Sequence, residues 1–173
     1  RGKLLCWIEA FLTNRCQCVV IENCQSDLRM VVSGVPQGSV LGPILFLIFV
    51  NDVTDNPVDD VTLSLFADDL KLYSTVTKTD DCLSLQNALD KLSIWSKVWQ
   101  LQVNIEKTYT LHIGGANRDS AASYYYNGSA IRTCSSIRDL GVEVDNRLSF
   151  DRHIENIVRD AYIRVGILFK SFI

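Results

Sequence analysis

Two adjacent carboxylates, Asp68 and Asp69, are the residues of this sequence best suited to chemistry. Apolar, strand-like stretches at 63–67 and 70–73 flank them, which predicts that they lie at the tip of a hairpin. Neighbouring carboxylates repel each other unless a cation offsets their charge, and hard divalent ions suit oxygen-only clusters. Two such ions can activate an attacking oxygen and stabilise a leaving one in phosphoryl-type transfer. An ordinary acidic turn is the alternative, because other acidic pairs occur in the sequence.

A loop rich in glycine and proline, residues 33–39, is the second candidate site. Gly34, Gly38 and Gly42 would let the backbone approach a flat ligand closely. Gln37 offers a hydrogen-bond donor and an acceptor on the segment that enters the next helix. Loops of this composition often serve only to reverse the chain direction. This pattern is therefore informative about function only in combination with the aspartates.

The elements that must position these residues follow from the spacing of apolar side chains. Helices are predicted at 3–13, at 44–50, from an N-cap at Thr79 or Asp80 through Trp99, and from Ile154 towards the end of the chain. Strands are predicted at 16–21, 28–32, 61–73 (two strands), 109–113 (ending at Gly114-Gly115) and 140–144. Helices and strands mixed in this order, with hairpins, indicate an α+β fold.

Four local features sharpen this outline. Asn127-Gly128 is the strongest hairpin signal in the sequence. The helix at 44–50 is apolar on every side and is therefore predicted to be buried. Trp95 and Trp99 fall on an apolar helical stripe and are interpreted as core residues. Asp52 follows the buried helix, where an acid is unfavourable for the helix dipole, so we interpret it as turn-forming.

Composition limits the class of protein. The chain has 173 residues, 47% of them hydrophobic, which is enough for one domain with a core. It opens without Met, which suggests a fragment, and its longest apolar stretch, 40–50, is shorter than the ~18 residues that span a bilayer. Six cysteines without C-x-x-C spacing favour reduced thiols in an intracellular protein. The net charge of −3 taken alone argues against a nucleic-acid binder.

Taken together and in this order, the two candidate sites resemble reverse transcriptases of non-LTR retrotransposons. The similarity rests on the run SGVPQGSVLGPILF at 33–46, followed by Asn51-Asp52 and by FADD at 66–69, and it extends over nearly the whole chain. A related polymerase, such as a group II intron maturase, is an alternative. Phe66 and the context of Asn51-Asp52 favour the retrotransposon enzymes.

The resemblance implies a palm-like antiparallel sheet packed on helices and incomplete at the N-terminus. It implies partial fingers and palm in 1–146 and the start of a helical thumb in 147–173. The implied activity is RNA-directed DNA polymerisation, in which nucleotides are transferred to a primer 3′-hydroxyl by two-metal catalysis. The implied partners are an RNA template, a DNA primer and deoxynucleoside triphosphates, with Mg²⁺ or Mn²⁺ as the cofactor. No association with a membrane is implied.

The resemblance also implies roles for the residues of the two sites. Asp68 would be a direct metal ligand, and Asp69 would be a second carboxylate at or beside the metals. Pro36, Gln37 and Gly38 would line the pocket for the templating base and the incoming nucleotide.

Three further residues match later motifs of that family. Lys107 corresponds to a lysine near the phosphates of the nucleotide, where a cation could assist the departure of pyrophosphate. A solvated surface lysine is the alternative. Leu140 and Gly141 would belong to the primer grip, although a plain core strand explains them nearly as well.

The sequence departs from the family at one point. An earlier strand of these enzymes ends in an aspartate that bridges the metals, and the only acids upstream of Ser33 are Glu9, Glu22 and Asp27, in contexts typical of a helix surface and a loop. We therefore predict that this chain, tested alone, fails to extend a primer on an RNA template. A decayed or co-opted copy that serves as a non-catalytic binding module is the second hypothesis.

Overall fold

The computed structural model describes residues 2–55, 58–114 and 122–172. The chain divides into two compact units, Arg1–Asn56 and Pro57–Ile173. Throughout the described residues, strands pair two by two and are interspersed with helices. Five of these pairs are antiparallel and one is parallel. The α+β class is confirmed, and the predicted domain boundary at 146/147 stays a prediction.

Short elements make up the first unit. In chain order they are α1 (Lys3–Leu12), β1 (Cys16–Gln17), β2 (Val20–Ile21), β3 (Cys24–Gln25), β4 (Arg29–Met30), α2 (Leu41–Val50) and a 3₁₀ helix (Asn51–Asp55).

The second unit holds the longer helices and most of the strands. In chain order its described elements are β5 (Thr62–Phe66), β6 (Asp69–Tyr73), α3 (Thr79–Val98), a 3₁₀ helix (Ile105–Lys107), β7 (Tyr109–Leu111), β8 (Tyr125–Tyr126), β9 (Ser129–Ala130), β10 (Arg132–Cys134), β11 (Ser136–Asp139), β12 (Val142–Asp145) and α4 (Asp151–Ser171).

The strand predicted at 16–21 is in fact two strands, and a third strand, β3, lies between it and the strand predicted at 28–32. β1 pairs with β4, whereas β2 turns back on β3 through a tight turn in which Glu22 has a φ of 52°. The Val19 N–H donates to Ser26 Oγ at 2.9 Å, and the Ser26 N–H donates to the Val19 carbonyl at 2.9 Å. These local hydrogen bonds hold a small hairpin. The pattern of apolar residues over six positions does not distinguish such a hairpin from a single strand.

The helix predicted at 44–50 is present as α2, but the prediction that it is buried on every side is wrong. Gly42 and Val50 are buried, whereas Ile44, Leu47 and Ile48 are exposed, Ile48 on 64% of its surface. An all-apolar helix requires cover on all sides. The described residues cover only part of this one.

The core of the second unit lies between α3 and the strands that follow it. Its buried members are Ala88, Leu89, Leu92, Tyr124, Tyr126 and Ile131. The side-chain amide of Gln86 extends this contact, because it donates to the Tyr125 carbonyl at 2.8 Å and accepts from the Tyr125 N–H at 2.9 Å. Trp95 is half-buried. Trp99, which follows the helix, is 36% exposed, so it is not the core residue that the apolar stripe predicted.

The hairpin predicted at Asn127-Gly128 is confirmed. These two residues connect β8 and β9, with φ values of 50° and 80°. Positive φ at both central positions is what a tight two-residue hairpin turn requires. The strand predicted at 109–113 is shorter than expected, as β7, and Gly115 at its predicted end lies outside the described residues.

α4 confirms the last predicted helix. Its first turns pack against β12 through Glu143, which pairs with Arg152 at 2.8 Å and accepts from Asn156 Nδ2 at 2.9 Å. Beyond these contacts its apolar residues, including Tyr162 and Phe169, are exposed. Within the described ranges no helix is long and apolar enough to cross a membrane. All six cysteines are free thiols.

α3 begins one residue before the earliest predicted start, because Asp81 closes its first turn. Asp81 Oδ2 accepts from the Thr77 N–H at 2.7 Å, from Thr77 Oγ1 at 2.9 Å and from the Lys78 N–H at 2.8 Å. These bonds, chiefly the one from the Thr77 backbone, lower the pKa of the Asp81 carboxyl. A carboxyl whose pKa is lower in the folded state stabilises the fold above its unfolded pKa of about 3.9, and this stabilisation is lost as the pH falls through the folded pKa.

We therefore expect Asp81→Asn to lower the thermal unfolding midpoint at neutral pH and to make the midpoint less sensitive to pH below about 4. Thermal denaturation across a pH series measures both effects. Asp80→Asn is the matched control, since it removes the same charge from the first turn of α3. Equal pH profiles for Asp81→Asn and the unaltered chain would contradict the capping role.

Candidate active site

The predicted aspartate hairpin is formed by β5 and β6. Its register pairs Leu63 with Leu72 and Leu65 with Leu70, so these four half-buried leucines share one face of the hairpin. β6 packs against α3. The apolar face thus anchors the hairpin to the second unit, and the tip projects the carboxylates.

Asp68 and Asp69 are both exposed at this tip. Ala67 and Asp68 form the two-residue turn, and Asp69, opposite Phe66, begins β6. Ala67 has a φ of 51°, a conformation that costs a residue with a side chain about 1 kcal/mol. A tight two-residue hairpin turn requires positive φ, and here a residue with a side chain adopts it. The strained turn therefore lies directly beside the residues predicted to do chemistry.

The donor chemistry of this tip fits a hard divalent cation. In the described part of the chain, neither aspartate accepts a hydrogen bond or forms an ion pair, so their oxygens are available. Mg²⁺ is commonly held by one or two carboxylates together with water and the phosphates of a substrate. The described residues contain no group of three His, Cys, Asp or Glu side chains that could hold a metal. The tip therefore presents two carboxylates that could serve as ligands.

The glutamine loop lies in the first unit and is a β-turn, Pro36 to Ser39. The Ser39 N–H donates to the Pro36 carbonyl at 3.4 Å, and Gly38 has a φ of 77°, which favours glycine. Pro36 is half-buried, whereas Gln37 and Gly38 are exposed. The turn therefore presents the Gln37 amide outward, where it can contact a ligand.

The hydroxyl of Ser39 ties this turn to α2. Ser39 Oγ donates to the Pro36 carbonyl at 2.6 Å and accepts from the Gly42 N–H at 3.0 Å. It thereby satisfies one of the free N–H groups at the start of the helix. A Cβ added at Gly42 would lie 2.9 Å from Ser39 Oγ and 3.0 Å from the Pro36 oxygen. The sequence predicts that Gly42 lets a ligand approach the backbone. In the structure, the missing side chain of Gly42 lets the start of α2 lie close to the turn.

Arg15 supports the same loop from its other end. Its Nε donates to the Leu12 carbonyl at 2.9 Å, and its Nη2 donates to the Gly34 carbonyl. The side chain thus links the end of α1 to the start of the loop. No spacing rule in the sequence connects Arg15 with Gly34, because the two residues are 19 positions apart.

Lys107 ends the 3₁₀ helix before β7 and is exposed. Asn104 caps that helix by accepting from the Glu106 N–H at 3.0 Å. β7 pairs in parallel with β10 and also contacts β11. Among the described residues, no ion pair joins Lys107 to Asp68 or Asp69. Its predicted role near the phosphates stays a prediction.

Leu140 and Gly141 form the tight turn between β11 and β12, with φ values of 47° and 90°. The prediction that Leu140 belongs to a strand is wrong, because the strand alternation begins only at Val142. Leu140 is 50% exposed, so the alternative interpretation as a plain core strand is wrong for this residue as well. The glycine that follows Leu140 was the available turn signal.

An ion pair joins two of the hairpins in the second unit. Lys71 Nζ of β6 lies 2.5 Å from Asp139 Oδ2 at the end of β11. Sequence reasoning missed both residues. A lysine between leucines in an apolar strand was the only local signal, and it did not identify the partner. The contact connects the hairpin that carries Asp68 and Asp69 with the turn at Leu140 and Gly141.

Comparison with known proteins identifies the family. A family model described as reverse transcriptase (RNA-dependent DNA polymerase) matches residues 2–144. The RNA-directed DNA polymerase from mobile element jockey of Drosophila melanogaster is 35% identical over 161 residues, which cover 87% of this chain and 17% of that protein. The jockey polymerase of Drosophila funebris is 31% identical over 165 residues, which cover 91% of this chain and 18% of that protein.

The probable RNA-directed DNA polymerase from transposon BS of Drosophila melanogaster is 31% identical over 169 residues, 91% of this chain and 18% of that protein. The chain thus spans less than a fifth of the length of the curated relatives it matches. No solved structure matches it. The family match and these relatives confirm the resemblance that the two motifs predicted: the chain belongs to the reverse transcriptase family and is a domain of the kind found in non-LTR retrotransposons.

Proposed function

We propose that this chain forms the nucleotide-transferring part of an RNA-directed DNA polymerase. One observation carries the proposal: Asp68 and Asp69 are exposed and free of protein partners at the tip of an apolar hairpin, in a chain that matches the reverse transcriptase family. Exposed acids without partners contribute little to a fold. At a strained turn they are better explained as ligands.

In this proposal the primer 3′-oxygen attacks the α-phosphorus of a deoxynucleoside triphosphate, a new phosphodiester bond forms, and the bond to pyrophosphate breaks. Asp68 would be a direct ligand of Mg²⁺, or of Mn²⁺ in its place, and Asp69 would be a second carboxylate beside it. When bound there, the metal ions would help to deprotonate the 3′-hydroxyl and offset the charge of the phosphates. The Lys107 ammonium would stabilise the departing pyrophosphate.

The remaining site residues would position the substrates. Pro36, Gln37 and Gly38 would contact the templating base and the incoming nucleotide, which accords with the outward amide of Gln37 and the positive φ of Gly38. Leu140 and Gly141 would hold the primer, and the exposed leucine on a tight turn suits contact with a sugar or a base.

We also propose the finer architecture on the same basis. The hairpins of the second unit together with α3 would form part of a palm-like sheet, with fingers and palm in 1–146. α4 would begin a thumb in 147–173, because it is a long helix whose apolar residues are exposed beyond its first turns. The proposal places the chain inside the cell, with an RNA template and a DNA primer as partners.

A non-catalytic binding module derived from such an element is the second candidate. Two observations favour it: no cluster of three metal-ligating side chains occurs in the described residues, and the net charge is −3. A module of this kind would not select a nucleotide by its base.

The experiment is a binding assay with a fluorescent DNA primer annealed to an RNA template, in Mg²⁺. We expect the affinity of the 173-residue chain for this duplex to rise when the deoxynucleotide complementary to the next template base is added. The three other deoxynucleotides should not raise it, because only the complementary base pairs with the next template base. Primer extension, measured in the same samples, is expected to be absent, since the hairpin supplies two carboxylates and no third ligand.

Equal affinity with all four nucleotides would favour the binding module and contradict the polymerase proposal. A blunt RNA–DNA duplex is the control, because it lacks a template base to be read. Template-directed synthesis by the chain alone would overturn the expectation that two carboxylates are insufficient.

A further inference from the structure

The ion pair between Lys71 and Asp139 connects the two hairpins that the proposed function needs. Lys71 lies two residues after Asp69 on β6, so both side chains lie on the hairpin face opposite the leucines. Asp139 is the last residue of β11 and pairs with Val142 across the turn at Leu140. The Lys71 Nζ to Asp139 Oδ2 distance is 2.5 Å, and the two side chains are 38% and 35% exposed.

Backbone hydrogen bonds do not fix these hairpins to each other. In the described chain, β5–β6 and β11–β12 are separate two-stranded sheets without a shared strand. Two hairpins without shared pairing can tilt or slide, because main-chain bonds set the spacing only within each of them. A direct contact between their side chains is what can set the distance from one hairpin to the other.

The partial exposure of this ion pair and its location beside a hairpin turn indicate that it positions the two hairpins rather than stabilising the fold. Ion pairs that are partly open to solvent contribute little to folding free energy, so stability does not explain a lysine between two leucines. The lysine reaches an acid that directly precedes the turn proposed to hold the primer.

We propose that Lys71 and Asp139 are a positioning pair that sets the primer terminus at its working distance from Asp68 and Asp69. The inference rests on the proposed function, since it assigns the two hairpin tips to the primer and to the metal. Reacting atoms must be held closely, and a displacement of ~1 Å can cost about a hundredfold in rate. The pair acts through the hairpins and touches neither substrate.

The test measures the distance between metal and primer without requiring turnover. A DNA primer with a fluorine label on its 3′-terminal nucleotide is annealed to an RNA template and bound to the 173-residue chain. Mn²⁺ bound at the aspartates broadens the fluorine resonance, and the broadening falls steeply with distance. We expect strong broadening in the unaltered chain and loss of most of it in Lys71→Met, with the affinities for Mn²⁺ and for the duplex kept.

Two further variants guard against a folding defect. Lys71→Arg retains the charge and should restore the broadening, and the exchanged double variant Lys71→Asp/Asp139→Lys should restore it in part. Arg159→Met is the matched control, because it breaks a 3.6 Å ion pair on the exposed surface of α4 and should leave the broadening unchanged.

The possible results separate the inference from the proposed function. If the unaltered chain binds the duplex and Mn²⁺ but shows no broadening, the metal and primer sites are not neighbours, and the proposed function fails together with the inference. If the unaltered chain and Lys71→Met broaden the signal equally, the proposed function stands and the positioning pair is refuted. Loss in Lys71→Met with recovery in Lys71→Arg supports the inference.

Discussion

Replacing Gly42 with alanine is expected to destabilise the first unit and to displace the turn that carries Gln37. The new Cβ would lie 2.9 Å from Ser39 Oγ and 3.0 Å from the Pro36 oxygen. Neither atom can retreat freely, because they are hydrogen-bonded to each other and Ser39 Oγ also accepts from the Gly42 N–H. Overpacking of this kind costs about 1–3 kcal/mol. It outweighs the helix propensity that alanine gains over glycine, up to about 1 kcal/mol.

Urea denaturation measures the loss, and the duplex-binding assay measures the displaced turn. In Gly42→Ala the complementary deoxynucleotide should no longer raise the affinity for primer and template. Gly166→Ala is the matched control, since Gly166 also lies within a helix and a Cβ there meets no atom within 4 Å. It should stabilise the chain by roughly 0.5–1 kcal/mol. A Gly42→Ala variant that behaves like Gly166→Ala would show that the close approach is unimportant.

Part of the candidate site could be predicted from the sequence. Local chemistry could be predicted: the hairpins at Asp68 and at Asn127-Gly128 follow from apolar stretches around short polar turns. α1, α3 and α4 follow from apolar spacing. These features depend on residues within a few positions of one another, where rules of periodicity and turn chemistry apply.

Contacts between distant residues could not be predicted in the same way. Lys71 and Asp139 are 68 positions apart, and either residue alone is typical of a surface. The hydrogen bond from Arg15 to Gly34 spans 19 positions. A single sequence contains each residue's chemistry but not the three-dimensional arrangement that selects its partner.

Two errors have a shared physical cause. The predictions of a strand at Leu140 and of a buried α2 both take hydrophobicity as a guide to burial. Leu140 instead occupies a turn at positive φ, and one side of α2 is exposed. A single exposed apolar residue such as Leu140 is common on protein surfaces, whereas a contiguous apolar patch, such as the exposed side of α2, is typical of a surface that contacts a ligand or another protein segment.

Replacing Asp68 with asparagine is expected to give the largest effect on metal binding. Asparagine keeps the size of the side chain but removes the charge, so one of the two carboxylates that would hold the ion is lost. Mutating a residue that only orients a metal ligand lowers the affinity for the metal about 10- to 100-fold. Removing a direct ligand should lower it at least as much. Titration with Mn²⁺, followed by the paramagnetic signal of the free ion, measures the change. Mg²⁺ competition then confirms that both ions use one site.

The fold should tolerate this change, because among the described residues the Asp68 carboxylate has no hydrogen bond or ion pair to lose. Removing one of two adjacent like charges should even relieve repulsion. The thermal midpoint of Asp68→Asn should therefore stay at or above that of the unaltered chain while Mn²⁺ affinity falls. Asp59→Asn is the matched control, since Asp59 is also an exposed member of an acidic pair. If Asp59→Asn weakened Mn²⁺ binding as much as Asp68→Asn, the ion would be responding to net negative charge, and the hairpin tip would hold no specific site.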